Sequence, residues 1–324
     1  MNCNYTKELI GNHWFITGIF GQLIGSIISV VLCILIIKKC GNLYFHANIR
    51  VLLVAKLCLY LIHSVLITII QTAHLILYFF ADPCTSGIPP SICLCLRFPA
   101  MSSVISFTVL EFAMIVERTV AMWKHQYYEN YGPKMGIALV IFSVIISPAV
   151  LFWSAGGFGR SSTAIYCNLV GGEGLAGRFM GFGVILCGTN VATLIGIIVL
   201  SLSNKFLLER KSFNLSSSYE LRESEAVIRI LLPLTIIQNL FCLVFSIFSI
   251  MIPILRDKID MVSFMIAIVA VYIVPYYTII SPIFINFMIR RSQQLKENSL
   301  KSLAIQSSKS NEAYFETYRK MWHK

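Results

Sequence analysis

Lys56 and Glu111 stand within long apolar stretches, and the adjacent Glu117 and Arg118 close the one that begins at Cys93. Ionisable groups at membrane depth are expensive and mark functional positions. Lys56 lies six residues beyond Arg50, and Glu111 seven before Arg118. At a rise of ~1.5 Å per residue, these offsets are ~9 and ~10 Å, so both groups sit at similar depth. An unpaired charge at that depth is costly, so Lys56 and Glu111 are expected to form an intramembrane ion pair. The alternative is a Lys56 that snorkels to the surface beside a protonated Glu111. The run from Cys93 to Arg118 spans ~37 Å as a helix, enough to cross a hydrocarbon core of ~30 Å. Cys93 then sits at one surface and Glu117-Arg118 at the other.

Catalytic patterns are missing. His63 and His74 are eleven residues apart, without the i, i+4 spacing of a helical metal pair. They are expected to serve as packing residues or pocket lining. There is no GxSxG, HExxH, P-loop or paired CxxC motif, and Cys93-Leu94-Cys95 is too close for a metal knuckle. The expectation is no enzyme, no metal and no cofactor. Pro148, Pro233, Pro275 and Pro282 fall inside apolar runs, where proline frees a carbonyl and bends the axis. Pro275 and Pro282 share one run and are the hinge candidates.

The elements that carry these residues follow from composition. The chain has 324 residues, 57% hydrophobic and only 13% charged, with mean hydropathy +0.76, whereas soluble domains carry ~25% charged residues. Most of the surface must therefore face lipid. Uncharged runs place spans at approximately 13–37, 51–80, 97–122, 135–155, 179–203, 228–252 and 261–288. Each is long enough for a spanning helix. The expectation is an all-α membrane protein, a seven-helix membrane domain over 1–289 with a cytoplasmic tail over 290–324. Leu295, Leu300 and Leu303 allow a short surface helix in that tail. An early Glu8 and a long following run argue against a cleaved signal.

The net charge of +11 is unevenly placed. Lys38, Lys39 and Arg50 follow span 1, and Arg118, Lys124 and Lys134 follow span 3. Lys205, Arg210, Lys211, Arg222 and Arg229 lie between spans 5 and 6, with eight more basic residues in the tail. The other side has only Lys7, Arg97, Arg160, Arg178, Arg256 and Lys258. The richer side is expected to be cytoplasmic, which sets the N-terminus outside and assigns the charge to the membrane rather than to nucleic acid. Asn4-Tyr5-Thr6 is then a glycosylation acceptor on the outside, whereas Asn214-Leu215-Ser216 faces the cytoplasm and is unusable. Cys3, Cys84, Cys93, Cys95 and Cys167 face the oxidising side. Five is odd, so one stays unpaired within the chain. Cys93–Cys167 would tie span 3 to the loop between spans 4 and 5, with Cys84 and Cys95 as rival partners.

Seven spans, a cysteine atop span 3 and Glu117-Arg118 at its far end resemble a G-protein-coupled receptor. More narrowly, the sequence is similar to nematode serpentine chemoreceptors of the Sra superfamily, especially the Srab type. The residues that carry the resemblance begin with Phe45-His46-Ala47-Asn48-Ile49-Arg50, Leu61-Ile62-His63-Ser64 and Asp82-Pro83-Cys84. They continue with Glu117-Arg118-Thr119-Val120-Ala121, Tyr128-Glu129, Leu215 to Glu223, and Pro275-Tyr276-Tyr277. Thr119 departs from the tyrosine usual in the rhodopsin-like class, and Ser281-Pro282-Ile283-Phe284-Ile285 replaces its NPxxY.

The resemblance implies a plasma-membrane receptor of a sensory-neuron cilium that binds an odorant or soluble chemical cue and activates a heterotrimeric G protein. It favours the Cys93–Cys167 pairing and implies that Arg118, held at rest by Glu117, takes part in coupling. The pocket is expected in the outer half, lined by His74, Phe98, Met101, Ile105, Tyr272 and Tyr276, an apolar and aromatic set with few polar anchors. The rival readings are a seven-span ligand-gated channel, a transporter, or a helper receptor for surface delivery of a partner. No internal repeat of the kind transporters show is visible.

Overall fold

The computed structural model describes residues 3–40, 47–84, 87–123, 132–155, 166–167, 176–210, 215–255, 258–291, 293–294, 297, 301 and 319. Phe45-His46, Tyr128-Glu129, Asn214, Leu295, Leu300 and Leu303 lie outside them. In chain order the helices are α1 (Cys3–Gly11), α2 (His13–Cys40), α3 (Ala47–Phe80), α4 (Pro90–Trp123), α5 (Lys134–Ala155), α6 (Ala176–Arg210), α7 (Leu215–Leu255) and α8 (Met261–Val271). A last helix, α9, covers residues 274–291. Seven stretches are long and apolar enough to cross a membrane: one each in α2 to α7, and a seventh, Met261–Arg291, formed by α8 and α9 together. The expected all-α, seven-span architecture is present, and these stretches are called spans 1 to 7.

Successive spans pack side by side, and span 7 returns to touch both span 1 and span 6. Span 3 contacts spans 2, 4, 5 and 6 and is the most enclosed helix, whereas span 4 is the most peripheral. Large apolar side chains such as Ile24, Ile62, Ile145, Phe152, Ile195 and Leu240 point outward. In water that surface would drive association; in lipid it is the ordinary exterior. The protein is a multi-pass membrane protein.

Apolar burial does not discriminate inside from outside in hydrocarbon, so close contact and hydrogen bonds must hold the helices together. Two sites show the close contact. A side chain on Gly18 would begin 2.5 Å from Val269 Cγ1, so the missing side chain lets span 1 lie directly on span 7. On span 4, a Cβ at Gly136 would fall 2.8 Å from the Asn48 carbonyl oxygen, and the Gly136 N–H donates to Asn48 Oδ1 at 2.9 Å.

Span 7 is broken. Asp260 caps α8, accepting from the Ser263 N–H at 2.9 Å, which holds its carboxyl below the usual aspartate range. At the other end Tyr272 leaves helical geometry (φ −76, ψ 70), and the Ile273 N–H turns back to Val271 O at 2.7 Å. Pro275 falls in the first turn of α9, where a missing N–H leaves no bond unmade. The helix runs on through Pro282. The break thus lies at Tyr272–Ile273, just before one hinge candidate and well before the other.

One end of the bundle is tied by disulfides, Cys93–Cys167 and Cys3–Cys84. The first holds residue 167 to the top of span 3, and the second holds α1 to the segment after span 2. Cys95 is exposed and free. Asn4 is exposed on α1. Tyr5, also on α1, donates to Met261 O at 3.5 Å, and burial together with nearby Asp260 pushes its phenol up to about 12.

Replacing Gly136 by Val should force spans 2 and 4 apart. We expect a loss of about 1–3 kcal/mol, the usual cost of overpacking, read as a lower unfolding temperature of the purified protein in detergent.

Candidate functional site

Among the described residues, two larger clusters of buried polar groups join several spans, beside a smaller one of Ser29, Ser64 and Thr278. In the first, Lys56 Nζ of span 2 contacts Glu111 of span 3, and both are buried. The second Glu111 oxygen accepts from Thr235 Oγ1 of span 6 at 2.5 Å. Spans 2, 3 and 6 therefore meet at one carboxylate. Lys56 Nζ also lies 6.0 Å from the centre of the Tyr60 ring, one turn further along span 2.

Beside this pair runs a directed chain of hydroxyls. Ser281 Oγ donates to Tyr60 OH at 3.2 Å, Tyr60 and Tyr277 share a hydroxyl–hydroxyl bond, and Tyr277 OH donates to Gln238 Oε1 at 2.7 Å. Gln238 Nε2 then donates to the Phe107 carbonyl at 3.2 Å. Each phenol has a single proton, so the bond between the tyrosines runs from Tyr60 to Tyr277. The chain links spans 7, 2, 6 and 3. At the Arg118 end of span 3, Arg118 Nε and Nη2 donate to the two oxygens of Glu117 at 2.5 and 2.6 Å, with both residues buried.

The second cluster lies at the disulfide-bearing end. The Cys167 N–H donates to His74 Nε2 at 3.0 Å, so that nitrogen carries no proton. Nδ1–H therefore faces Gln71 Oε1 at 3.1 Å. Gln71 Nε2 donates to Gln22 Oε1 at 2.5 Å, and Gln22 Nε2 donates to Val269 O at 2.7 Å. The relay joins the segment disulfide-bonded to span 3 with spans 2, 1 and 7. The His74 ring is stacked on Tyr166, centroids 5.0 Å apart, and on Tyr78 at 5.7 Å. The ring is stacked with two tyrosines, and both of its nitrogens are engaged.

The six residues read as pocket lining separate in three dimensions. Met101 and Ile105 are buried in the main core, Phe98 packs against that core, and Tyr272 is buried with its hydroxyl 3.4 Å from His63 Nε2. His63 Nδ1 meets the Ala100 carbonyl at 3.1 Å, which makes Nδ1 the donor and Nε2 the acceptor. Tyr276 is 40% exposed and lies over Gly21, where an added Cβ would meet its hydroxyl at 2.6 Å. It packs between spans 1 and 7 on the outer surface and does not line the interior. Its neighbour Tyr277 faces inward instead.

Sequence reading passed over several residues of these clusters. Gln22, Gln71 and Gln238 are uncharged, so a charge census skips them, although an amide inside an apolar run is itself a sign of interhelical bonding. Arg97 was counted only among the rim charges. It is 4% exposed, and its guanidinium carbon lies 4.1 Å from the centre of the Tyr272 ring.

Comparison with known proteins agrees with this architecture. The profile of the family described as serpentine type 7TM GPCR receptor class ab chemoreceptor matches residues 1–323. The chain is 30% identical over 123 residues to serpentine receptor class beta-17 of Caenorhabditis elegans, covering 37% of this chain and 34% of that protein. It is 26% identical over 219 residues to serpentine receptor class alpha/beta-14 of the same organism, covering 64% of this chain and 54% of that protein. The chain thus spans about a third and about half of the lengths of these two curated relatives.

Breaking the buried pair from one side strands a charge. Lys56→Met and Glu111→Gln should each cost about 3–5 kcal/mol, whereas the double change Lys56→Met with Glu111→Leu should recover most of the loss. A double-mutant cycle on unfolding temperature in detergent checks this; additive losses would show that the two residues act independently.

Proposed function

The chain belongs to the serpentine class ab chemoreceptor family, and on that premise we propose that it binds a small chemical cue at the disulfide-bearing end and activates a heterotrimeric G protein at the Arg118 end. In this reading the N-terminus and both disulfides are outside the cell, and the basic tail lies in the cytoplasm. The uneven placement of lysine and arginine supports that orientation. So does the occurrence of both disulfides at one end, because they persist on the oxidising side.

The observation that carries the coupling half of the proposal is the pairing of Arg118 with Glu117. Adjacent helical residues point about 100° apart and do not naturally face each other. Here they bend together into a bidentate bond within a single helix. A guanidinium whose carboxylate partner lies on the same helix can exchange that carboxylate for a new partner while the helix stays in place. A ligand shifts the receptor only by the difference in its affinity for the two states. A rearrangement that releases Arg118 needs contacts linking the two ends, and the hydroxyl chain at Tyr277 together with the break at Tyr272–Ile273 in span 7 supplies them. Pro275 follows that break directly and constrains the first turn of α9, whereas Pro282 lies further along the same helix.

Arg118→Ala at matched surface level should reduce G-protein activation about tenfold or more in heterologous cells, as expected when a charged hydrogen-bonding group worth about 1.5–3 kcal/mol is removed. Undiminished signalling would end this role. The orientation has its own check: glycosidase treatment should shift the wild-type band, and the Asn4→Gln change should abolish the shift.

A further inference from the structure

Among the described residues, Arg97 is a buried charge without a counter-charge. Its Nε and Nη1 have no hydrogen-bond partner, and no carboxylate pairs with it. Lys56 and Arg118, the other two basic residues buried in the bundle, are both paired. A buried unpaired guanidinium is costly, and such a group is kept where something else completes it.

The surroundings narrow what that something is. One face of the guanidinium is occupied by Tyr272, which leaves its in-plane N–H donors for recognition; the unpartnered Nε–H and Nη1–H lie on different edges, and each suits one oxygen of an oxyanion. The neighbouring polar groups are already committed. Tyr272 OH donates to His63, His63 donates to Ala100 O, and His74 is engaged at both nitrogens. A second unused donor lies at the same end: the Tyr166 hydroxyl is buried without a partner, on the ring that stacks against His74. The Cys93–Cys167 disulfide holds the two at one end of the bundle, Arg97 one helical turn beyond Cys93 and Tyr166 next to Cys167. The side chains packed around these groups are aromatic, with Phe245 6.2 Å from the Tyr272 ring and Phe107 6.5 Å from His63. The other orphaned side-chain atoms with no partner, on Ser26 and Asn239, are neutral and carry no demand for an anion.

We propose that the cue is a small organic acid, its carboxylate taken by the Arg97 N–H donors and the Tyr166 hydroxyl and its apolar body lying among the aromatic side chains of spans 3, 6 and 7. The proposal rests on the receptor reading given above and deepens it. The chemistry that fits Arg97 is an oxyanion on an apolar body, which an anionic lipid headgroup also offers, and the test separates the two sources.

The full chain is purified into nanodiscs of phosphatidylcholine alone, and its unfolding temperature is followed with hexanoate, benzoate and phenylacetate, and with their methyl esters. We expect at least one acid to raise the unfolding temperature while its ester does not. In Arg97→Gln the half-maximal concentration should rise about tenfold or more, and Arg97→Lys should retain part of the response. Without ligand, Arg97→Gln should unfold at or above the wild-type temperature, because it removes an unpaired charge; this also guards against a variant that merely fails to fold. Three results overturn the proposal: no acid acts, esters act as well as acids, or Arg97→Gln unfolds markedly earlier than wild type without ligand. Stabilisation by added phosphatidylserine through Arg97, with no response to the acids, also overturns it and assigns the site to lipid. Acid binding without G-protein activation would retire the coupling reading and leave this one standing. Activation by neutral compounds that is unaffected in Arg97→Gln would do the reverse.

Discussion

Hydrocarbon offers no hydrogen-bond partner, so each polar group that enters the bundle must be satisfied by the protein itself. In this chain that requirement, more than apolar burial, decides which helices meet. The Glu111 carboxylate is the centre of it. Lys56 approaches from span 2 and Thr235 from span 6, so three helices are held in register by the need to keep one charge paired. Such a pair contributes little net stability against an apolar replacement. Its consequence is specificity, since a rotation of any of the three spans strands a charge.

The two hydrogen-bonded relays extend the same logic toward the ends. The chain through Tyr60, Tyr277 and Gln238 and the chain through His74, Gln71 and Gln22 each end on a backbone carbonyl, which can only accept and so sets their direction. Both include spans 2 and 7. Span 7 is broken between them, at Tyr272–Ile273, so the two relays report on separate halves of that span. A ligand that moves Tyr272 bears on the junction between them, and the geometry at Arg97 places a charged group directly over that ring.

Much of this was legible in advance, and the reason differs from residue to residue. The depths of Lys56 and Glu111 could be compared because each is counted along one helix from a surface residue, and a helix advances by a constant ~1.5 Å per residue. The number of spans followed from the same regularity. The helix at Cys3–Gly11 and the pairing of Cys3 with Cys84 were not legible, because a short N-terminal segment and a loop cysteine have no periodic signal linking them. Arg97 escaped for a related reason. At the edge of an apolar run an arginine reads as a rim charge, and only the tertiary packing, with Tyr272 of span 7 over the guanidinium, makes it buried.

Sequence alone determined what depends on distance along a helix: the number of spans and the relative levels at which charges lie along them. The tertiary structure decided what depends on rotation about the helix axis. Tyr276 and Tyr277 make the difference plain. They are consecutive and chemically identical, yet the first is 40% exposed against span 1 and the second is 1% exposed among spans 2, 3 and 6. Each residue turns the helix by about 100°, and in an evenly apolar span no strong amphipathic signal says which way it faces. Neighbouring helices set that angle, through the polar groups that must find one another and the glycines that let backbones touch.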